Sequence, residues 1–168
     1  MLTILEEHDL FLNIKKCQFE KPSIDFLGVR VRQGQVKMQS SKVDKVKEWK
    51  PLRNVQEVHR FLGFTRYYHY FIKNYLSITK PLIELTRKTA PWQWGNDQVH
   101  TFETLKAKMC EKPVLQQPNF NKTFCLQTDA SAYGMGAILS QEGEASLTHC
   151  KPKRHPITYY SATFTPTE

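Results

Sequence analysis

The sequence predicts an α+β fold, because the spacing of its apolar residues changes twice along the chain. Residues 24–38 alternate apolar and polar side chains around Gln33-Gly34, which is typical of a β-hairpin. Residues 41–110 repeat their apolar side chains every three or four positions, as amphipathic helices do. After a linker containing Pro and Gln at residues 113–119, the alternating pattern returns. It predicts three further strands, at residues 123–129, 135–141 and 156–163.

The predicted hairpin pairs a first strand, residues 24–32, with a second at residues 35–38. Alternation within the first strand puts Val29 and Val31 on one face and Arg30 and Arg32 on the other. A short amphipathic helix beginning near Leu2 is expected before it. The hairpin therefore presents one apolar face for a core and one basic face.

The first two long helices are predicted from their start signals. Ser41 and Asp44 have the spacing of a capping box, and the helix that follows turns Val43 and Val46 inward and ends before Pro51. A second helix is predicted from Asn54 to about residue 72. Its Gly63 is expected to lie where another backbone packs closely. The inward face of this helix is predicted to hold Val55, Val58, Leu62, Thr65 and Tyr68.

Two more helices complete the predicted helical part. A shorter one covers residues 77–86 and contains Pro81. The fourth is predicted to begin at Asn96 as its N-cap, directly after Trp92 and Trp94, which we expect to act as packing anchors. Its inward side chains are predicted to be Val99, Phe102, Leu105 and Met109.

The charge of the chain indicates a polyanionic partner. The formal net charge is +8, divided as +4 over residues 1–60, +4 over residues 61–113 and zero over residues 114–168. A basic surface of this kind suits phosphate contacts, which release counterions and dominate nonspecific affinity. A merely solvated basic surface explains the same charge equally well.

Composition also predicts a soluble, intracellular protein, in the cytoplasm or the nucleus, without a membrane partner. No apolar run approaches the length of a membrane span, and the acidic N-terminus is unlike a signal peptide. The cysteines are scattered without zinc-type spacing and are expected to be reduced thiols. They are Cys17, Cys110, Cys125 and Cys150.

Asp129 is the candidate catalytic residue and metal ligand. It ends an apolar strand, and a second strand with Gly134 and Gly136 follows at once, so its carboxylate is predicted at a sheet centre. One carboxylate is an incomplete site, because two-metal phosphodiester cleavage needs several. The alternative is a strand-end acid that bonds a neighbouring turn.

Few other acids are available to complete such a site. Glu168 closes the segment Thr165-Pro166-Thr167-Glu168, which has capping-box spacing, so we favour a cap over a second metal ligand. Glu142 and Glu144 are expected in a flexible loop that holds no metal geometry.

The order of the motifs resembles gypsy-type LTR-retrotransposon polyproteins. The stretch they span corresponds to the end of the reverse transcriptase palm, the thumb and connection, and the N-terminal part of the ribonuclease H domain. The motifs, in chain order, are Leu12-Asn13-Ile14-Lys15-Lys16-Cys17, Asp25-Phe26-Leu27-Gly28, Val36-Lys37-Met38, Phe61-Leu62-Gly63-Phe64, Tyr67-Tyr68, Phe71-Ile72, Lys80-Pro81-Leu82, Trp94, Phe102, Pro113-Val114-Leu115, Thr128-Asp129-Ala130-Ser131 and Pro156-Ile157.

The resemblance implies three parts. Residues 1–39 are the end of the palm with a primer-grip-like hairpin, residues 40–113 the helical thumb and connection, and residues 120–168 a truncated, three-stranded antiparallel ribonuclease H-like sheet. The family's Tyr-x-Asp-Asp hairpin precedes the position of Leu2, and this chain has no Asp-Asp dipeptide, so polymerase chemistry is not expected in it. The implied cofactor is Mg²⁺, which the fragment alone is not expected to hold stably.

The resemblance also implies nucleic-acid-binding residues. They are Phe26, Leu27, Gly28, Arg30 and Arg32 of the primer-grip-like hairpin, with Lys42 and Lys45 of the thumb-like helices. An ordinary hairpin with solvated arginines is the alternative. A set of tyrosines at helical spacing is predicted either to lie in the core or to stack on bases; they are Tyr67, Tyr68, Tyr70 and Tyr75.

The sequence therefore predicts a polyprotein fragment that binds duplex or hybrid nucleic acid without cleaving it. Its expected partners are RNA–DNA hybrid or duplex and the rest of the polyprotein. Two alternatives stay open: a domesticated protein-interaction module, and a metal-dependent ribonuclease H completed by another chain.

Overall fold

The protein folds as five helices and two antiparallel sheets within the residues that its structure, a computed structural model, describes: 2–111, 114–131, 134–143 and 154–164. The helices are α1 (Leu2–Glu7), α2 (Ser40–Lys47), α3 (Val55–Tyr67), α4 (Tyr75–Glu84) and α5 (Asn96–Cys110). The strands are β1 (Ser23–Phe26), β2 (Val29–Arg32), β3 (Gln35–Met38), β4 (Val114–Gln116), β5 (Phe124–Ser131), β6 (Gly134–Glu142) and β7 (Arg154–Thr163). The predicted α+β class is confirmed.

The predicted hairpin has one more turn than its pattern indicates. The strand expected over residues 24–32 is two strands, β1 and β2, joined at Leu27-Gly28, where φ is +46° and +81°. Positive φ at both central residues is the geometry of the tightest hairpin turns. Leucine rarely adopts it, which is why the turn gives no sequence signal. Val29 and Val31 do face inward, opposite Arg30 and Arg32.

The segment predicted to be a linker, residues 113–119, contains a strand. β4 pairs antiparallel with β3 and extends the front sheet to the order β1-β2-β3-β4. Beyond the ladder, the Gln117 amide donates to the Gly34 carbonyl at 3.1 Å, and the Gly34 amide donates to the Gln117 side chain at 3.1 Å. The chain thus returns to the hairpin after all the helices.

Helix α2 begins differently from the prediction. Its N-cap is Gln39, which makes no side-chain cap bond, so the capping box expected at Ser41 and Asp44 is wrong. The helix follows β3 directly, and Gln39 is already engaged: its amide donates to the Gly28 carbonyl and its side chain donates to Asp25. The inward positions Val43 and Val46 are confirmed as buried.

Helix α3 begins as predicted and ends earlier. The Asn54 carboxamide oxygen accepts from the Glu57 amide at 2.9 Å, and the Glu57 carboxylate accepts from the Arg53 amide at 2.8 Å. The helix ends at Tyr67, and a 3-10 turn over His69–Phe71 follows. Gly63 is exposed with nothing within 4 Å of an added Cβ, so the expected close backbone is wrong.

Two start signals of the later helices are also shifted. Helix α4 begins after Asn74, earlier than predicted, and includes Pro81. Helix α5 has Gly95 as its N-cap, not Asn96, because the Gln98 side chain accepts from the Gly95 amide at 3.1 Å. Val99 is exposed, whereas the other three predicted inward residues of α5, Phe102, Leu105 and Met109, are buried.

Among the described residues, every helix is too short or too polar to cross a bilayer.

An aromatic cluster joins the helices beneath the front sheet. The Phe61 ring lies 5.3 Å from Trp49 and 4.9 Å from Phe102 between ring centroids, so α3, α5 and the segment after α2 meet there. The Lys106 ammonium donates to the Trp49 carbonyl at 3.0 Å and lies 5.1 Å from the centroid of Phe102. Pairs of this kind stabilise a core beyond the area they bury. Trp94 also contacts Phe102, whereas Trp92 is exposed and stacks on Trp94.

The second sheet has the order β5-β6-β7, which confirms the three predicted strands. Its β7 contacts β4, α4 and the 3-10 turn, so the sheet packs against the helical part. Gln141 of β6 is fully buried and holds the preceding loop. Its side chain accepts from the Asn119 amide at 2.9 Å and donates to the carbonyls of Asn119 and Lys122 at 2.8 and 3.0 Å.

Replacing Gln141 by leucine is expected to loosen the second sheet. The change leaves one buried amide and two carbonyls without partners, so we expect a loss of about 2 kcal/mol or more in the free energy of unfolding. Amide hydrogen exchange should become faster at residues 119–122 before it changes in α3. Gln127→Leu, at an exposed position of β5, is the control. If the two variants reduced the free energy of unfolding equally, Gln141 would not stabilise the loop at residues 119–122 through its hydrogen bonds.

Candidate functional site

The most exposed apolar turn of the front sheet lies beside the helices and is bonded to them. Phe26 is 59% and Leu27 69% exposed. The turn is nevertheless fixed at two successive carbonyls: the Tyr67 hydroxyl donates to the Leu27 oxygen at 2.5 Å, and the Tyr68 hydroxyl donates to the Gly28 oxygen at 3.3 Å. The turn therefore combines exposed apolar side chains with backbone carbonyls that are hydrogen-bonded to the end of α3.

Gly28 brings the turn into contact with both α2 and α3. A Cβ at this position would lie 2.6 Å from the Tyr68 hydroxyl oxygen and 3.7 Å from the Cε of Lys42. Glycine is thus required by close approach as well as by its positive φ. The Lys42 side chain consequently runs alongside the turn. Lys45, three residues on and exposed, is its neighbour on the helix surface.

Arg30 is less available than the sequence suggests. Its guanidinium donates two bonds to the Asp25 carboxylate, at 2.7 and 2.9 Å. These hydrogen bonds from Arg30 hold the pKa of Asp25 below its usual value, and Asp25 raises the pKa of Arg30 in return. Arg32 is exposed on the same outer face of β2. The structure thus brings the turn and Lys42 together, and places the two arginines on the face of β2 opposite Val29 and Val31.

The four tyrosines divide between the core and the surface. Tyr68 is 2% exposed, Tyr75 is buried with its hydroxyl 2.9 Å from that of Thr65, and Tyr70 is partly buried. Burial raises the pKa of Tyr68 to about 12, so its phenol stays protonated even above the ordinary tyrosine pKa. Only Tyr67 is exposed, at 50%. The core interpretation therefore applies to Tyr68 and Tyr75.

Asp129 lies on β5 opposite Gly136 and lines a cleft between the second sheet and α4. The cleft has a volume of about 380 Å³. On the helix side it is lined by Ser77, Lys80, Glu84 and Arg87, which recur every three or four residues. The carboxylate is exposed, so a ligand can reach it.

The described residues around Asp129 do not by themselves make a divalent-metal centre. In the ranges that the structure describes, no three His, Cys, Asp or Glu side chains are close enough to hold one ion. Glu142 ends β6 and pairs with Arg154 at 3.7 Å, so the loop position expected for it is wrong. Gly136 is the residue that pairs with Asp129. Glu142 lies six residues further along the same extended strand, which is a distance of roughly 20 Å. Glu144 and Glu168 lie outside the described residues.

Sequence reasoning missed the residues that hold the turn. Tyr67 and Tyr68 are forty residues from Leu27 and Gly28, and they were predicted only as core or stacking residues. No local pattern indicates a hydrogen bond between a helix end and a distant turn, so this contact needed the tertiary structure.

Comparison with known proteins gives consistent matches. Residues 94–168 match the model of an RNase H-like domain found in reverse transcriptase. The Transposon Tf2-3 and Tf2-4 polyproteins of Schizosaccharomyces pombe are each 33% identical to the chain over 162 residues, which is 96% of this chain. The chain spans 12% of the length of those polyproteins.

Solved structures match the fold over nearly the whole chain. The foamy viral protease-reverse transcriptase dRH in complex with ds DNA has a TM-score of 0.73 at 23% identity, covering 99% of this chain and 28% of that one. The foamy viral protease-reverse transcriptase in complex with RNA/DNA hybrid has a TM-score of 0.70 at 22% identity, covering 99% and 23%. These structures show the fold, and the domain match together with the 33% identity to the Tf2 polyproteins confirms the resemblance to a retrotransposon reverse transcriptase and ribonuclease H region.

Gly28→Ala is expected to destabilise the protein more than Gly34→Ala. Both positions have positive φ, +81° and +73°. The new methyl group would lie 2.6 Å from the Tyr68 hydroxyl oxygen at Gly28, whereas at Gly34 nothing lies within 4 Å of it. Gly34→Ala therefore measures the backbone cost alone, about 1 kcal/mol, and Gly28→Ala should exceed it by about 1 kcal/mol or more. Urea unfolding measures the difference.

A double variant identifies the obstructing atom. The double variant Gly28→Ala, Tyr68→Phe lacks the hydroxyl that the new methyl group would meet. Gly28→Ala should therefore reduce the free energy of unfolding less in the Tyr68→Phe background than in the unmodified chain. Equal costs of the two alanine variants, or strict additivity of the double variant, would contradict the close contact at Gly28.

Proposed function

We propose, from the premise that this chain is related to the reverse transcriptase and ribonuclease H region of retrotransposon polyproteins, that it binds duplex or hybrid nucleic acid. The observation that carries the proposal is the turn at residues 26–28. It exposes Phe26 and Leu27 beside Lys42, on a backbone that is hydrogen-bonded to Tyr67. Apolar side chains can contact sugars and bases while the ammonium contacts phosphate.

The charge of the chain supports the same class of partner. All of the net +8 comes from residues 1–113, which contain the turn and α2. Phosphate contacts by lysine and arginine give affinity without sequence preference. We therefore propose binding of a general, sequence-independent kind, with Lys42 and Lys45 as phosphate contacts. Arg30 contributes less, because Asp25 already pairs with it.

The solved relatives favour a double-stranded ligand. One foamy viral protein was solved with ds DNA and another with an RNA/DNA hybrid. We propose the same ligand class here, in the setting of a gypsy-type polyprotein whose remaining parts are the chain's other partner.

We further propose that these 168 residues bind without cleaving. Asp129 resembles the first metal-binding aspartate of ribonuclease H, whose chemistry uses Mg²⁺. On the helix side of its cleft, Glu84 is the one further acid among the described lining residues, and it lies in the sequence between two basic lining residues, Lys80 and Arg87. A second divalent ion needs a cage of oxygen ligands, which Asp129 alone does not provide.

A protein-binding function is the second candidate, and one observation favours it. Phe11 is 93% exposed, and Ile14 and Phe19 are also strongly exposed, so residues 11–19 carry several apolar side chains on the surface. Exposed apolar patches often mark protein contacts. Weak salt dependence of nucleic-acid binding would favour this candidate over the first.

Replacing Lys42 and Lys45 together by glutamine is expected to weaken duplex binding and flatten its salt dependence. If both side chains contact phosphate, the slope of log K against log salt should become about 1.8 less steep, at 0.9 per contact. Fluorescence anisotropy of a labelled duplex across a salt series measures both quantities.

Lys47 and Lys108, replaced together by glutamine, are the matched control. The change in net charge is the same, and Lys47 already pairs with Asp44 at 3.5 Å. An equal change of slope in both double variants would show that only the overall field matters. That result would remove the proposed contacts at α2.

The chain is expected to leave an RNA–DNA hybrid intact in Mg²⁺ or Mn²⁺. The physical reason is that Asp129 and Glu84 are the only acids among the described residues that line the cleft, which is too few to hold two divalent ions. A gel assay with a labelled hybrid should show no cleavage above an Asp129→Asn control. Metal-dependent cleavage by the unmodified chain that disappears in Asp129→Asn would establish a complete site and overturn this part of the proposal.

A further inference from the structure

We propose that Tyr67 and Tyr68 are positioning residues that fix the turn at residues 26–28 to α3, so that the turn and Lys42 meet the nucleic acid as one surface. The inference rests on the proposed function and adds the residues through which the helical part controls the contacting turn. Neither tyrosine needs to touch the ligand for this role.

The geometry assigns one hydroxyl to each of two successive carbonyls. Tyr67 bonds the Leu27 oxygen, and Tyr68 bonds the Gly28 oxygen, which also accepts the Gln39 amide at 3.1 Å. Three donors from α3 and from the start of α2 thus converge on two turn residues. A two-residue turn held at both carbonyls has little freedom to rotate relative to the helices.

The tyrosines are themselves anchored in the core. The Tyr67 and Tyr68 rings meet edge to face with their centroids 4.9 Å apart, and Tyr68 also packs on Phe64 and Phe71. Phe64 in turn lies 5.4 Å from Trp49. A continuous aromatic path therefore leads from the core cluster to the turn.

The exposure of the two tyrosines decides which of them could stack on a base in addition to positioning the turn. Tyr68 is 2% exposed, so it cannot stack on a base, and its effect must pass through Gly28. Tyr67 is half exposed, so its ring has a surface that a ligand can reach. Its hydroxyl, however, is already bonded to Leu27, and removing that hydroxyl alone separates positioning from stacking.

The test is a double-mutant cycle on duplex affinity with the full 168-residue chain. Tyr67→Phe keeps the ring and removes the bond to the turn, and we expect affinity to fall about fivefold, the usual effect of one hydrogen bond. Leu27→Ala removes a turn side chain and should also weaken binding. In the double variant, Tyr67→Phe should have little further effect, because the hydroxyl acts through the turn.

Three comparisons make the outcome decisive. Tyr160→Phe is the matched control, since Tyr160 is 53% exposed, similar to Tyr67 at 50%, but lies on β7 of the second sheet, and it should leave affinity unchanged. Unchanged affinity in Tyr67→Phe, or independent additive losses in the double variant, would overturn the positioning role. Tyr67→Leu identifies stacking: a loss there with none in Tyr67→Phe would assign Tyr67 to direct contact.

Failure of this inference is distinguishable from failure of the proposed function. If the unmodified chain does not bind duplex in a salt-dependent way, the proposed function fails and with it the premise of the cycle. If binding is salt-dependent but Tyr67→Phe equals the unmodified chain, nucleic-acid binding stands and the positioning role alone is wrong.

Discussion

The pairing of β4 with β3 is the constraint on which the rest of the structure depends. It places Leu115 opposite Val36, and everything between them must form a loop whose ends meet. Closing a long loop costs entropy that grows only slowly with its length, and the buried aromatic cluster offsets it. The helices are thereby packed over the apolar face of the front sheet. After β4, the loop that Gln141 holds leads into the second sheet, where Asp129 faces α4 across a cleft.

Local patterns predicted the elements better than their ends. Val43 and Val46 were identified because helical spacing decides which residues are inward, and the three last strands because alternation decides a sheet face. The N-cap residue depends on how the chain enters a helix. Because α2 follows β3 directly, its N-cap is Gln39 and not Ser41. A three-residue strand such as β4 has too little pattern of its own, and its partner is distant in sequence.

The candidate site was predictable only in part, and mostly through the family resemblance. The resemblance predicts residues 26–28 and Lys42 as contact residues, and Gly28 and Lys42 do lie together. The pairing of Arg30 with Asp25 is a cross-strand contact that exists only because of the unpredicted turn. The bonds from Tyr67 and Tyr68 join elements far apart in the chain. The sequence can thus predict which residues are candidates for the site. The hydrogen bonds and ion pairs that those residues make depend on tertiary packing.

Leu27 holds a left-handed backbone, φ +46°, although its side chain is neither small nor polar. For such a residue this conformation costs about 1–2 kcal/mol relative to glycine. Strain of this kind persists where the surroundings over-determine it, commonly at functional positions. Selection for thermostability alone would therefore favour glycine here, at the loss of an exposed leucine side chain. Under the proposed function, a substitution at position 27 that stabilises the folded chain would therefore also remove a side chain that contacts the ligand, so stability and binding would change in opposite directions.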